Sequence, residues 1–184
     1  VQPILIYMRR EMAGTLRVLD LCAAPGGKST AELSALGSGD LLVTNEVIKS
    51  RATVLAENIV KWGMANAVVT SCDPSQFQKL KGYFDVIMAD VPCSGEGMFR
   101  KAPESILQWS ADNVNLCAAR QRRIVSDAWS SLKGGGYLIY STCTLNKFEN
   151  DDNVQWICSE LGAEVVPLEN VTDVGCTAAI STRC

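Results

Sequence analysis

The chain has 184 residues, 47% hydrophobic and 20% charged, with a net charge of −3 and no histidine. That length buries one full core, no apolar run approaches the roughly 20 residues that span a bilayer, and the acidic balance argues against a protein that coats nucleic acid through bulk charge. Without histidine there is no Ser-His or Cys-His catalysis, so acid–base chemistry falls to carboxylates, thiols, lysines or water.

The run Leu16-Arg17-Val18-Leu19-Asp20-Leu21 predicts a buried first strand over about 17–22. It leads into "DLCAAPGGKST" (20–30), whose Gly27-Lys28-Ser29 tail looks like a phosphate-binding loop. The glycine required five positions before Gly27 is instead Cys22, and Pro25 has no N–H to offer a phosphate. A second template fits better: an acid followed by small residues at alternate positions, as in many S-adenosylmethionine enzymes. Here it reads Asp20, Cys22, Ala24, Gly26, and small side chains let a ligand approach the backbone. A tight turn with no ligand stays open from this loop alone.

A helix is predicted over Gly27–Leu36, then a strand in "DLLVTNE" (40–46) that ends at Glu46. Glu46 lies 20 residues after Gly26, the spacing of an acid that holds ribose hydroxyls. Nicotinamide binding should also show G-x-G-x-x-G, which "CAAPGG" lacks. Ala52, Leu55, Ala56, Ile59 and Trp62 follow at helical spacing, closed by Gly63. Further strands are predicted over 67–73, ending at Asp73, and 84–90, ending at Asp90. A long helix over 112–132 is expected to stop at Gly134-Gly135-Gly136, before a strand at 137–143, a helix at 148–161 and a short strand at 163–167. Residues 1–16 and 168–184 are assigned to no element, and the whole of 1–184 reads as a single domain.

This βα alternation predicts an α/β fold, a mostly parallel sheet with helices on both faces. Ligands bind such sheets beyond the carboxyl ends of the strands, where this chain places Cys22, Glu46, Asp73, Asp90 and Cys143. The eight cysteines include no C-x-x-C pair, so neither a metal site nor a disulfide framework is expected, and free thiols in a reducing cytoplasm fit best. Cys72, Cys117 and Cys158 read as small core residues, while Cys176 and Cys184 carry no reading.

The densest segment is "DVPCSGEGMFRK" (90–101), which packs an acid, a thiol, glycines and cations after a buried strand; "STCT" (141–144) follows the fifth strand. Together with "DLCAAPGGKST", these segments resemble the motifs of the Sun/Nop family of RNA cytosine-C5 methyltransferases, from about Arg17 to Leu161. The long middle motif is similar to the RsmF-like bacterial branch that acts on ribosomal RNA. The resemblance implies a class I S-adenosylmethionine-dependent methyltransferase with a Rossmann-like sheet. It assigns Cys22, Ala23, Ala24, Pro25, Gly26, Gly27 and Lys28 to the cofactor's methionine, Glu46 to its ribose, and Asp73 to the neighbourhood of its adenine. Asp90 is implied between the cofactor's amino group and the target base, Cys143 as nucleophile, and Cys93 as the thiol that helps release product. Arg51 is implied as a support of the cofactor loop. With no histidine present, each thiolate must be favoured by nearby Lys, Arg or backbone dipoles, and Lys28 and Lys101 are the candidates.

Alternatives stay open: a transfer RNA substrate, a non-catalytic RNA-binding relative, or a DNA-type enzyme that uses the Pro-Cys thiol as nucleophile. Two departures from the family are expected to matter. "VQPIL" keeps little of the upstream cofactor motif, and the chain is expected to stop before the terminal hairpin strands. RNA binding is expected to draw on flanking domains, with no membrane partner.

Overall fold

A computed structural model describes residues 4, 8–9, 12–167 and 180–183. Its strands are β1 (Arg17–Asp20), β2 (Leu41–Asn45), β3 (Ala67–Thr70), β4 (Phe84–Asp90), β5 (Leu132–Ser141), β6 (Glu164–Pro167) and β7 (Ile180–Arg183). The helices are α1 (Gly27–Ala35), α2 (Lys49–Trp62), α3 (Ala111–Trp129) and α4 (Asp151–Leu161). One seven-stranded sheet runs in the order β3-β2-β1-β4-β5-β7-β6. The five strands from β3 to β5 are parallel, and β7 is antiparallel to both β5 and β6.

Alternation along the strands builds two cores. Val18, Leu42, Val86, Met88 and Ile139 pack on one face, against Leu33 of α1 and Leu55 and Ile59 of α2. Leu19, Val43, Ile87, Ala89 and Leu138 pack on the other, against Ile124, Val125 and Ala128 of α3 and Ile157 of α4. Each fully buried aliphatic side chain contributes about 1.5–3 kcal/mol, so the strands buried on both faces anchor the molecule. The strand order reverses between β1 and β4, and the crevice above that point is where a doubly wound sheet takes its ligand. Among the described residues no helix is long and apolar enough to cross a membrane.

The structure corrects two expectations. The terminal antiparallel strands are not missing: β7 runs from Ile180 to Arg183 and slots between β5 and β6. Its four residues carry too little apolar pattern to be read as a strand. The three glycines do not end a helix either. Helix α3 ends at Trp129, and Gly134–Gly136 lie inside β5, where the pairing with β4 shifts register between Phe84 and Val86. A Cβ on Gly136 would come within 2.9 Å of the Asp85 and Lys133 carbonyl oxygens, so this bulge demands glycine. Cys176 and Cys184 lie outside the described residues.

Candidate active site

The loop after β1 is shaped by Gly26, which caps α1 with φ +108°. A Cβ there would be strained and would meet Leu55 Cδ1 at 3.1 Å. The Ala24–Pro25 peptide is cis. Two carbonyls of the loop are held from α2: Arg51 donates to Ala24 O at 2.9 Å and Asn58 to Pro25 O at 2.7 Å. Ala23 and Ala24 are buried in the core beneath the loop. Above Gly27 the space is open, with nothing within 4 Å of where its Cβ would stand.

Carboxylates ring this loop. Asp20 is buried and accepts from Ser29 Oγ at 2.7 Å; burial raises its pKa to about 6, with the Asp90 charge adding to the rise. Cys22 is held up at about 12, first by burial and then by Asp20, Glu46 and Asp90, so it is a neutral thiol. Glu46 is buried at the end of β2, accepting from Ile48 N at 2.9 Å and pairing with Arg51 at 3.2 Å. The support expected of Arg51 is thus a double one, reaching the acid and the loop carbonyl together. Asp73 lies at the same sheet edge and caps the 3-10 turn over Pro74–Lys79, accepting from Ser75 N and Oγ and pairing with Arg123 at 3.4 Å. Those bonds hold its carboxyl below the usual range. Asn45, which sequence reasoning missed, knits the cleft floor: its amide bonds Leu21 O and Cys72 O, and its oxygen accepts from Thr70 Oγ1 and Cys72 N.

Fifty residues apart in sequence, Cys93 and Cys143 meet at the ends of β4 and β5 with their sulfurs 2.9 Å apart. Cys143 is exposed and Cys93 partly buried. Burial pushes Cys93 up to about 12, and the bond and charge of Cys143 push the same way. Cys93 is therefore protonated at neutral pH. Beside them Asp90 accepts from Ser141 Oγ at 2.7 Å and pairs with Lys28 at 2.6 Å. Lys28 is thus committed to Asp90 rather than to a thiol, and the Lys101 ammonium makes no ion pair among the described residues.

The loop after β4 wraps the loop after β5. Gly97 N donates to Cys143 O at 2.8 Å, and Glu96 accepts from Leu145 N at 2.9 Å, Asn146 Nδ2 at 3.1 Å and Trp109 Nε1 at 3.0 Å. Burial raises the Glu96 carboxyl, yet these donors outweigh it and hold it below the ordinary range. Sequence reasoning missed Glu96, Gly97 and Ser141, along with Gln121, Asn146 and Glu149. All but Gln121, which stands in the middle of α3, lie inside or shortly after a motif, but the partner of each is on another segment.

The family described as "16S rRNA methyltransferase RsmB/F" matches residues 10–179. A ribosomal RNA small subunit methyltransferase F from Pectobacterium carotovorum is 42% identical over 153 residues, which is 83% of this chain and 31% of that protein. The chain thus spans about a third of the length of the curated relatives it matches. Among solved structures, NSun6 from Pyrococcus horikoshii with SFG aligns at a TM-score of 0.76 and 23% identity, covering 99% of this chain and 49% of that one. A SAM-dependent O-methyltransferase from Thermotoga maritima aligns at 0.60 and 19% identity, covering 99% and 63%. The fold is that of the class I SAM-dependent methyltransferases.

Proposed function

The chain belongs to the RsmB/F family of 16S rRNA methyltransferases, and from that premise we propose that the protein methylates carbon 5 of a cytosine in ribosomal RNA through a covalent adduct on Cys143. The cofactor is S-adenosyl-L-methionine. The residues fit it. The cleft is open over Gly27, Glu46 presents acceptors for a ribose diol, and the surrounding carboxylates suit a ligand that carries a sulfonium and an ammonium. When bound, this cofactor supplies an electrophilic methyl group.

The chain's own residues must supply the rest. Carbon 5 of cytosine is a weak nucleophile, and addition of the Cys143 sulfur to carbon 6 turns the ring into an enamine. Asp90, held by Ser141 and Lys28, faces the charge that moves onto the ring near N3. After carbon 5 is methylated, its proton must leave and the bond from carbon 6 to Cys143 must break. Cys93 is suited to take that proton as a thiolate, once its own proton has passed to solvent. Burial, the largest influence that keeps it protonated, stays, while the side-chain bond and charge of Cys143 go once that sulfur is bonded to carbon 6. The proton then sits on Cys93, and the electron pair of the breaking bond returns to Cys143 as thiolate. The target base must be unstacked to reach the cleft.

The observation that carries this reading is the sulfur contact beside Asp90. Two thiols in one cleft divide nucleophile from base, as this chemistry needs and as a DNA-type single Pro-Cys nucleophile does not. The test is covalent trapping in the full-length protein. Cys93→Ala should leave RNA attached on a denaturing gel, and Cys143→Ala should leave none. Sequencing the attached RNA identifies the substrate, ribosomal or transfer. Adducts on Cys143→Ala alone would reverse the two roles. Adducts on neither, with cofactor binding intact, would remove the case for cytosine chemistry.

A further inference from the structure

The two backbone groups that flank Cys93 are both gripped from the interior. Its predecessor's carbonyl, Pro92 O, accepts from Gln121 Nε2 at 3.0 Å. Its successor's amide, Ser94 N, donates to Glu149 Oε2 at 3.0 Å, and the Ser94 hydroxyl makes a short bond to Glu149 Oε1. Gln121 and Glu149 are fully inaccessible and bond each other at 2.7 Å. Neither is free to turn. The Gln121 oxygen accepts from Tyr140 OH at 2.9 Å and Asn153 Nδ2 at 2.7 Å, while Glu149 also accepts from Asn146 Nδ2 at 2.8 Å. The single Tyr140 hydroxyl proton is shared between the Gln121 oxygen and the Glu149 carbonyl, which lies at 2.7 Å.

Donors alone converge on Glu149: a backbone N–H, a hydroxyl and two side-chain amides. An acceptor-only carboxylate satisfies all four, whereas an amide at this position would oppose at least one of them. Gln121 must donate to Pro92 and to Glu149 while accepting from Tyr140 and Asn153, so only an amide serves there. The chemistry of each residue is set by the other. Neither side chain reaches the cleft, and both act on the short segment that carries the Cys93 sulfur.

The geometry points to Gln121 and Glu149 as a buried pair of positioning residues that hold the Cys93 thiol against Cys143, and so set the rate at which product leaves the enzyme. This rests on the covalent reading above. Neither Cys143 nor the cofactor loop bonds the pair directly; the Cys143 loop is reached only through Asn146, Ser94 and Tyr140, so the variants are read by adduct resolution relative to adduct formation. Adduct formation survives and its resolution slows. A displacement of about 1 Å in a reacting group costs on the order of 100-fold.

The test uses Glu149→Ala, Gln121→Leu and the milder Glu149→Gln in the full-length protein, each checked for unchanged S-adenosylmethionine affinity. Expected are RNA adducts that persist on denaturing gels, a kcat lowered about 100-fold with KM for the cofactor unchanged, and Glu149→Gln within about 10-fold of wild type. A second readout needs no RNA. Diamide takes two electrons and two protons from a thiol pair, and the Cys93–Cys143 crosslink, mapped by mass spectrometry, should form at least about 10-fold more slowly in Glu149→Ala and Gln121→Leu. If Cys93→Ala traps no RNA, the covalent reading fails, and the crosslinking rate still decides the positioning. Variants that bind cofactor yet resolve adduct and crosslink at wild-type rates overturn the inference. If the alanine variant does not fold, Gln121→Leu decides by the same two rates, with wild-type values for both as the refuting result.

Discussion

Glu32, on the inner face of α1, is completely inaccessible, and among the described residues neither of its carboxylate oxygens has a hydrogen-bond partner. Burial, reinforced by the charge of Asp20, raises its pKa from 4.5 to about 9. The folded chain therefore binds a proton here that the unfolded chain releases above pH 4.5, and stability must fall as pH rises. The contribution is fully present below about pH 4.5 and is lost progressively up to about pH 9. At pH 7 roughly 2.5 pH units of that window have been crossed, which at ~1.36 kcal/mol per unit costs about 3 kcal/mol. Glu32→Met keeps the length of the side chain and removes the carboxyl. It should stabilise the protein by about 1 kcal/mol at pH 5.5 and by about 3 kcal/mol at pH 7, the gap widening by ~1.4 kcal/mol per pH unit. Urea unfolding followed by tryptophan fluorescence across that range measures it. Asp20 acts on Glu32 through its charge, so the same comparison in an Asp20→Asn background isolates the contribution of burial. A constant gap across pH, or a variant less stable at pH 8, would refute the reasoning, because it would mean that a donor meets the carboxylate.

Gly97→Ala should lower kcat about 100-fold with little change in cofactor affinity, since a Cβ would overlap the Cys143 carbonyl oxygen and displace the proposed nucleophile. Steady-state methylation beside calorimetric cofactor binding checks it, and an unchanged kcat would show that the two loops separate during catalysis. Arg51→Ala breaks the pair with Glu46 and the bond to Ala24 O at once. Because the guanidinium is about half exposed, the loss should be modest, roughly 10-fold in cofactor affinity by calorimetry. Equal affinity in the variant would show that the loop holds its shape through Asn58 alone.

Most of the sheet was legible because its strands are short apolar runs ending in an acid or a thiol, so period and composition speak locally. The β4 strand came out as predicted, at Phe84–Asp90, because it is buried on both faces and bounded by a turn and a proline. Strands β1, β2 and β3 fell within their predicted spans but ended earlier, since Leu21, Glu46 and Cys72 already belong to the loops that build the cleft. Gly134–Gly136 misled because a glycine run reads as a helix stop, whereas here it serves a bulge whose cause is the neighbouring strand. Strand β7 escaped because four residues gain strand character only by pairing on both sides.

The sequence by itself determined which residue types stand at the strand ends and in which order, since these are consequences of local pattern and of the quoted motifs. It also determined that two thiols, not a histidine, are available for chemistry. Only the tertiary structure decided that Cys93 and Cys143 touch, that Lys28 answers Asp90, and that Gln121 and Glu149 close on each other behind the Cys93 segment. These partners lie 28 to 62 residues apart, and no local propensity reports on contacts at that range. They arise because the parallel sheet brings the carboxyl ends of β1, β4 and β5 side by side. The burial of Glu32 was likewise invisible in sequence, where a glutamate in a helix reads as surface. What makes it a buried acid is the packing of α1 against the sheet.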